Sequence, residues 1–229
     1  MRPVNKGAAP RVYAFYGDAI ADLQVAIGDF CSYCERQIET NLAVEHVQPK
    51  SRKRALLNDW SNFLLGCVNC NSSKGKRSVI LTKFLWPDRD NTMRAFVYNR
   101  DGLVRVYSRL RQLNRQRAEA TISLLGLDKV PGHPIRARRP TQRDQRWRRR
   151  QEAFDLAERE RNRLALHDTP IVRDLIADVA HGRGMFSIWM QVFAGDADMR
   201  RRLRQRFVGT DAGSFDLNEV LRKRTGGLV

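Results

Sequence analysis

No run of roughly 18 or more apolar residues occurs in the chain, so a membrane-spanning helix is not expected. The opening residues, MRPVNKGAAP, lack the apolar stretch of a secretory signal, which leads us to expect a cytoplasmic, reducing location. Cysteine is scarce: four in 229 residues, all in two CxxC pairs. In a reducing compartment such pairs argue for a metal rather than for disulfides. Acidic residues are also in short supply, with 25 Asp and Glu against 42 Lys and Arg and a formal net charge of +17. Charge of one sign at that level repels itself in a compact fold and calls for a polyanionic partner, nucleic acid before others. A basic protein that is merely soluble is the alternative. No internal repeat is visible.

What is present suffices for a core: 42% hydrophobic residues, including four Trp and ten Phe. Residues 1–12 read as an extended lead-in. Apolar positions from Tyr13 to Phe30 recur at helical spacing up to Gly28. Leu42 to Val47 is β-rich and Pro49 stops it. Asp59 or Ser61 can cap a short helix through Trp60, Phe63, Leu64 and Leu65. Asn71-Ser72-Ser73-Lys74 reads as the cap and first turn of another helix. Arg94–Tyr98 and Val104–Tyr107 alternate around Asn99-Arg100-Asp101-Gly102, a hairpin pattern. Leu110 to Leu125 is helical by period and ends at Gly126. Pro131, Gly132 and Pro134 mark a linker. Beyond it, residues 136–150 carry eight arginines against the single acid Asp144. A long helix from Gln142 to Leu166 and three more at about 170–180, 185–194 and 196–207 complete the chain. The expectation is an α+β fold with two parts. Residues 1–130 would hold the CxxC pairs and hairpin, and 131–229 a helical basic region that binds a partner or nucleic acid.

Cys31, Cys34, Cys67 and Cys70 suit one tetrahedral Zn²⁺, a closed structural site with no open position. Four buried free thiols is the bland alternative. Redox use of either pair is a second, although neither pair sits in a βαβ pattern. Residues 35–66, longer than the loop of a plain zinc ribbon, leave room for a site between the pairs.

That interval contains Glu45-His46-Val47-Gln48-Pro49 and Asn62, and Asn71 directly follows the last cysteine. The pattern resembles the HNH (ββα-metal) endonuclease family over roughly residues 28–77. The elementary chemistry agrees: phosphodiester hydrolysis needs a base, and neutral His46 suits that role near pH 7. It also needs a cation, and Glu45 and Asn71 are hard oxygen ligands for Mg²⁺ or Mn²⁺. In a regular strand Glu45 and His46 would face opposite ways, so an irregular strand end is required. By resemblance, His46 is the general base, Glu45 and Asn71 hold the catalytic metal, and Asn62 braces the loop that carries His46. Many family members have Asp where Glu45 stands, and Asn71 takes the place of a frequent His. Lys50, Arg52 and Lys74 are positioned to meet phosphate, and from the arginine-rich run Arg146 and Arg149 are the expected nucleic-acid contacts. His133, His167 and His181 have no ligand spacing around them.

The longer strings Glu45–Ser51 and Trp60–Gly75 are similar to PtuB-type HNH proteins of Septu anti-phage systems, which also occur with some retrons. Leu85-Trp86-Pro87-Asp88 and Phe186-Ser187-Ile188-Trp189 extend the likeness. The resemblance implies a defence nuclease acting with an ATPase partner of the PtuA type. Rival readings are a non-catalytic zinc-knuckle nucleic-acid binder, an RNA-directed nuclease, and a defence subunit inert without its partner.

Overall fold

Helix α1 (Ile20–Ile27) follows a single 3-10 turn at Tyr16–Ala19 and stops at Gly28, whose φ of 74° is accessible to glycine at little cost. The helix expected across Tyr13–Phe30 is therefore shorter at its start. Phe15 is extended and 56% exposed, outside the apolar stripe that Leu23 and Ile27 bury. The computed structural model describes residues 1–229.

Strands β1 (Ala43–His46) and β2 (Phe63–Gly66) form a two-stranded antiparallel sheet with Glu45 opposite Leu64 and His46 opposite Phe63. Here the sequence reading needs correction. Asp59 caps only one 3-10 turn, Trp60–Asn62, by accepting from the Ser61 amide, and the chain then straightens into β2 instead of continuing as a helix. A short, wholly buried apolar run such as Phe63-Leu64-Leu65 has no periodicity to separate strand from helix, and pairing with β1 decides.

Helix α2 (Val68–Lys74) begins four residues earlier than expected. Its N-cap is Cys67, whose Sγ accepts from the Cys70 amide at 3.4 Å, so Asn71 lies inside the helix and is not its cap. The hairpin appears as β3 (Phe96–Tyr98) against β4 (Val104–Val106), and α3 (Gln112–Leu125) ends at Gly126, φ 59°. Four helices follow: α4 (Arg146–Leu166), which starts four residues later than the expected Gln142, α5 (Pro170–Arg183), α6 (Phe186–Val192) and α7 (Ala197–Arg206). No helix is long and apolar enough to cross a membrane.

One apolar cluster runs through the whole chain, from Met1 and Val4 through Trp86 to Trp189 and Phe207. The lead-in is extended but far from loose. The Val4 amide donates to the Pro87 carbonyl at 2.7 Å, and Val4 bridges Thr210. The cysteine-bearing segment and the C-terminal helices also meet directly. Glu35, buried next to Cys34, accepts from both the amide and the hydroxyl of Ser187 in α6. Gly184, φ 69°, lies so close to this segment that a Cβ there would sit 2.5 Å from the Glu35 carbonyl oxygen.

Candidate active site and metal centre

The turn at Cys31–Cys34 and the α2 N-terminus bring four buried sulfurs together, all within 4.8 Å of one another. Cys34 Sγ and Cys67 Sγ are 3.8 Å apart, too far for a disulfide bond of about 2.05 Å. Four sulfurs at about 2.3 Å from a tetrahedral zinc ion are separated by about 3.8 Å, so the donor set and spacing fit Zn²⁺. Their environment supports this. Hydrogen bonds from the other three cysteines hold the Cys67 thiol well below the ordinary range, whereas burial pushes Cys31 and Cys70 up. Four thiolates this crowded and this dry would coexist only around a cation; without one, burial favours the neutral thiol at Cys31 and Cys70. All four sulfurs turn inward on one point, which leaves no open coordination position for substrate.

Arg146 completes the centre. The arginine-rich run suggests a phosphate contact at this position, but the side chain is 1% exposed. It donates to Cys70 Sγ at 3.1 Å, to the Leu125 and Gly126 carbonyls, and to both Asp144 oxygens. Burial works against its charge, but the Cys70 sulfur and Asp144 outweigh that and keep its pKa above the ordinary guanidinium value.

Strand β1 and helix α2 also border a cavity of about 990 Å³ that Glu45, His46 and Asn71 line. His46 ends the strand in regular register opposite Phe63, and both it and Glu45 border the cavity. Its Nε2 lies 2.8 Å from the Leu57 carbonyl. A carbonyl only accepts, so Nε2 carries the proton and Nδ1 is the acceptor of the neutral ring. Tyr16 and Phe63 both meet the imidazole edge-to-face, with centroids 5.0 and 5.3 Å away. Burial lowers the His46 pKa, and Lys50 and Lys74 push the same way against the Leu57 hydrogen bond. Asn62, 2% exposed, clasps the chain beyond the strand: its Oδ1 accepts from the Gln48 amide at 2.7 Å, and its Nδ2 donates to the Gln48 carbonyl at 2.9 Å.

Glu45 is buried, which raises its carboxyl pKa against the pull of Lys74, whose Nζ lies 2.8 Å from Oε1. Lys74 also donates to the His46 carbonyl at 2.7 Å and is 2% exposed, so it is an internal clamp, not a free surface cation. Glu45 and Asn71 give the cavity two hard oxygen donors, a set suited to Mg²⁺ or Mn²⁺. Gly66 makes room for Glu45, since a Cβ there would lie 2.9 Å from the Glu45 Cβ.

Of the other expected contacts, Lys50 borders the cavity and donates to the Tyr16 hydroxyl at 2.7 Å. Arg52 is exposed and does not line it. Arg149 is exposed, paired with Glu152, and borders a separate groove. Sequence reasoning missed Tyr16, Arg54 and Lys76, which also line the cavity. Tyr16 carries no local pattern, because its role arises from the first 3-10 turn folding over β1. Arg54 and Lys76 differ from their basic neighbours only in the direction the loop takes.

A zinc-compatible thiol cluster beside a cavity with a carboxylate, an imidazole and a basic rim is the arrangement of a nucleic-acid-cleaving module. Residues 31–77 match the family model described as HNH endonuclease. That match supports nuclease chemistry in this segment, with nucleic acid as its substrate. No curated protein matches the chain.

Proposed function

We propose that the protein is a metal-dependent HNH endonuclease that hydrolyses phosphodiester bonds, with DNA as the favoured substrate and RNA, including tRNA, as the second. One observation carries this reading. Glu45, His46 and Asn71 border a single cavity whose other charged side chains, Lys50, Arg54, Lys74 and Lys76, are all basic. The β1–β2–α2 succession is then the ββα-metal core, and the four cysteines hold a structural zinc. Glu45 and Asn71 would hold Mg²⁺ or Mn²⁺, which supplies positive charge for the phosphate and the leaving oxygen. His46 takes the proton of the attacking water on Nδ1, with Leu57 and Asn62 keeping the ring aimed. The water oxygen bonds to phosphorus as the ester P–O bond breaks, and no covalent intermediate forms. Lys50, Arg54 and Lys76 hold the flanking phosphates.

We further propose that this nuclease is the effector of a cytoplasmic anti-phage complex of the Septu or retron kind, working with a PtuA-type ATPase. Residues 131–229 would dock that partner or the nucleic acid. This rests on the strings around Glu45, Trp60, Trp86 and Trp189. The second reading, a non-catalytic zinc module, is favoured by the Lys74–Glu45 ion pair, which meets the carboxylate's charge without a metal. Plasmid DNA and total RNA incubated with the zinc-loaded protein separate the two, with and without an ATPase encoded beside it. Cleavage that requires added Mg²⁺ or Mn²⁺ supports the nuclease. Tight binding without cleavage in every combination supports the non-catalytic module.

A further inference from the structure

A second cavity, of about 1030 Å³, shares no residue with the one that holds His46. The β3–β4 hairpin, α6, α7 and the C-terminal segment enclose it. Its charged side chains are Arg94, Arg109, Arg111, Arg200 and Lys223, all basic; Val229 also borders it, with an oxygen that accepts from the Asn91 and Arg224 amides.

Arg200 is the decisive member. On α7, Arg201 and Arg202 pair with Asp198, Arg204 with Glu219 and Arg206 with Asp178. Arg200 is the most buried of the series, at 7% exposed, yet it has no such pair, and its Nε is sealed from solvent without a hydrogen-bond partner. Burial pushes its pKa down. Glu219 and Asp216 offset this from a distance, and Glu219 is already taken by Arg204. Buried charges are ordinarily paired. Its two terminal nitrogens make no hydrogen bond within the protein and are not sealed as Nε is, so a largely buried, unpaired guanidinium on a cavity wall is left to meet an anion, and its forked donors fit phosphate oxygens.

The rest of the lining narrows the ligand. Eleven of the nineteen lining residues are hydrophobic, among them Phe96, Leu110 and Met190. The volume, about 1030 Å³, slightly exceeds the range of small-molecule sites, roughly 300–1,000 Å³. A bare inorganic anion would leave most of that surface uncovered.

We propose that this cavity binds a small nucleoside phosphate, with its phosphates on Arg200 and Arg94 and its base against the apolar wall. The site stands independently of the nuclease reading. It would let the protein answer to a soluble nucleotide as well as to a nucleic-acid strand.

The test is calorimetric titration of the zinc-loaded full chain with ATP, AMP and inorganic phosphate at matched ionic strength. Mg²⁺ and Mn²⁺ are omitted to keep nucleotides out of the His46 site. ATP is expected to bind saturably and about tenfold or more tighter than phosphate. Arg200→Met should weaken ATP binding about tenfold or more, the loss expected for one charge-assisted contact. Arg201→Met removes the same charge from an ion-paired surface position on the same helix and should leave binding unchanged. Arg200→Met should unfold at or above the wild-type temperature, because it removes an unpaired buried charge. Arg94→Gln supplies a second variant at a less buried lining position. The proposal is overturned by absence of saturable nucleotide binding, by binding indifferent to both variants, or by phosphate binding as tightly as ATP. It is also overturned if a single-stranded oligonucleotide displaces ATP with the same dependence on Arg200, since the cavity would then be a strand track.

Discussion

His46 is held on three sides, by the Leu57 carbonyl at Nε2 and by the rings of Tyr16 and Phe63. Burial lowers its pKa, so the ring stays neutral to a lower pH than an ordinary histidine of about 6.5. The base form is the neutral one. Cleavage should therefore rise with pH through a midpoint below that value, and a pH–rate profile of the wild type checks it. Tyr16→Phe should leave the stacking and remove only the hydroxyl that Lys50 meets. The Arg146–Asp144 pair belongs to the same scale. Arg146→Ala strands a buried carboxylate and removes a donor to Cys70, and the loss should be about 3–5 kcal/mol in equilibrium unfolding. The sequence alone makes Arg146 an expected nucleic-acid contact because it lies in a run of eight arginines between residues 136 and 150. Nothing in a run of arginines marks the one that turns inward to satisfy the Leu125 and Gly126 carbonyls at the end of α3.

Among the elements, the CxxC pairs, the β3–β4 hairpin and the long helices were legible because each carries its own local signature: thiol spacing, Asn99–Gly102, and apolar period with a glycine stop. Strand β2 was not, since Phe63-Leu64-Leu65 is buried on all sides and only its partner β1 tells strand from helix. The start of α2 was hidden for a related reason. Its cap is a thiol, not the usual hydroxyl or carboxylate. Gly66 joins the two strands' sterics to the site. Gly66→Ala would press on the Glu45 Cβ and should reduce cleavage while leaving the zinc content unchanged, as metal analysis and activity measured on one preparation will establish. The cysteine quartet should hold one zinc per chain. Cys70→Ser, or removal of zinc by a chelator, should cooperatively destabilise the apolar cluster around it, read as a fall in unfolding temperature.

For the whole molecule, a formal net charge of +17 sets the long-range field. Many C-terminal arginines nevertheless meet acids, including Arg163, Arg173 and Arg202. Among the cations without an acidic partner, Lys50, Arg54 and Lys76 line the His46 cavity and Arg94, Arg109, Arg111, Arg200 and Lys223 the second one. Nucleic-acid affinity should fall with added salt at a log–log slope of about −0.9 per phosphate neutralised on duplex DNA. Substituting Arg54 or Lys76 should flatten that slope, whereas substituting the ion-paired Arg163 should not. The burial of Met1 and Val4 against residues from distant parts of the chain could not be read locally, because it depends on long-range closure. The most direct test of the central claim compares wild type with His46→Ala on plasmid DNA and total RNA under Mg²⁺ or Mn²⁺, with and without the neighbouring ATPase. We expect the variant to keep its zinc, its fold and its nucleic-acid affinity while cleaving about 10²–10⁴-fold more slowly. A variant that cleaves as fast as the wild type would contradict the assignment of His46 as the base.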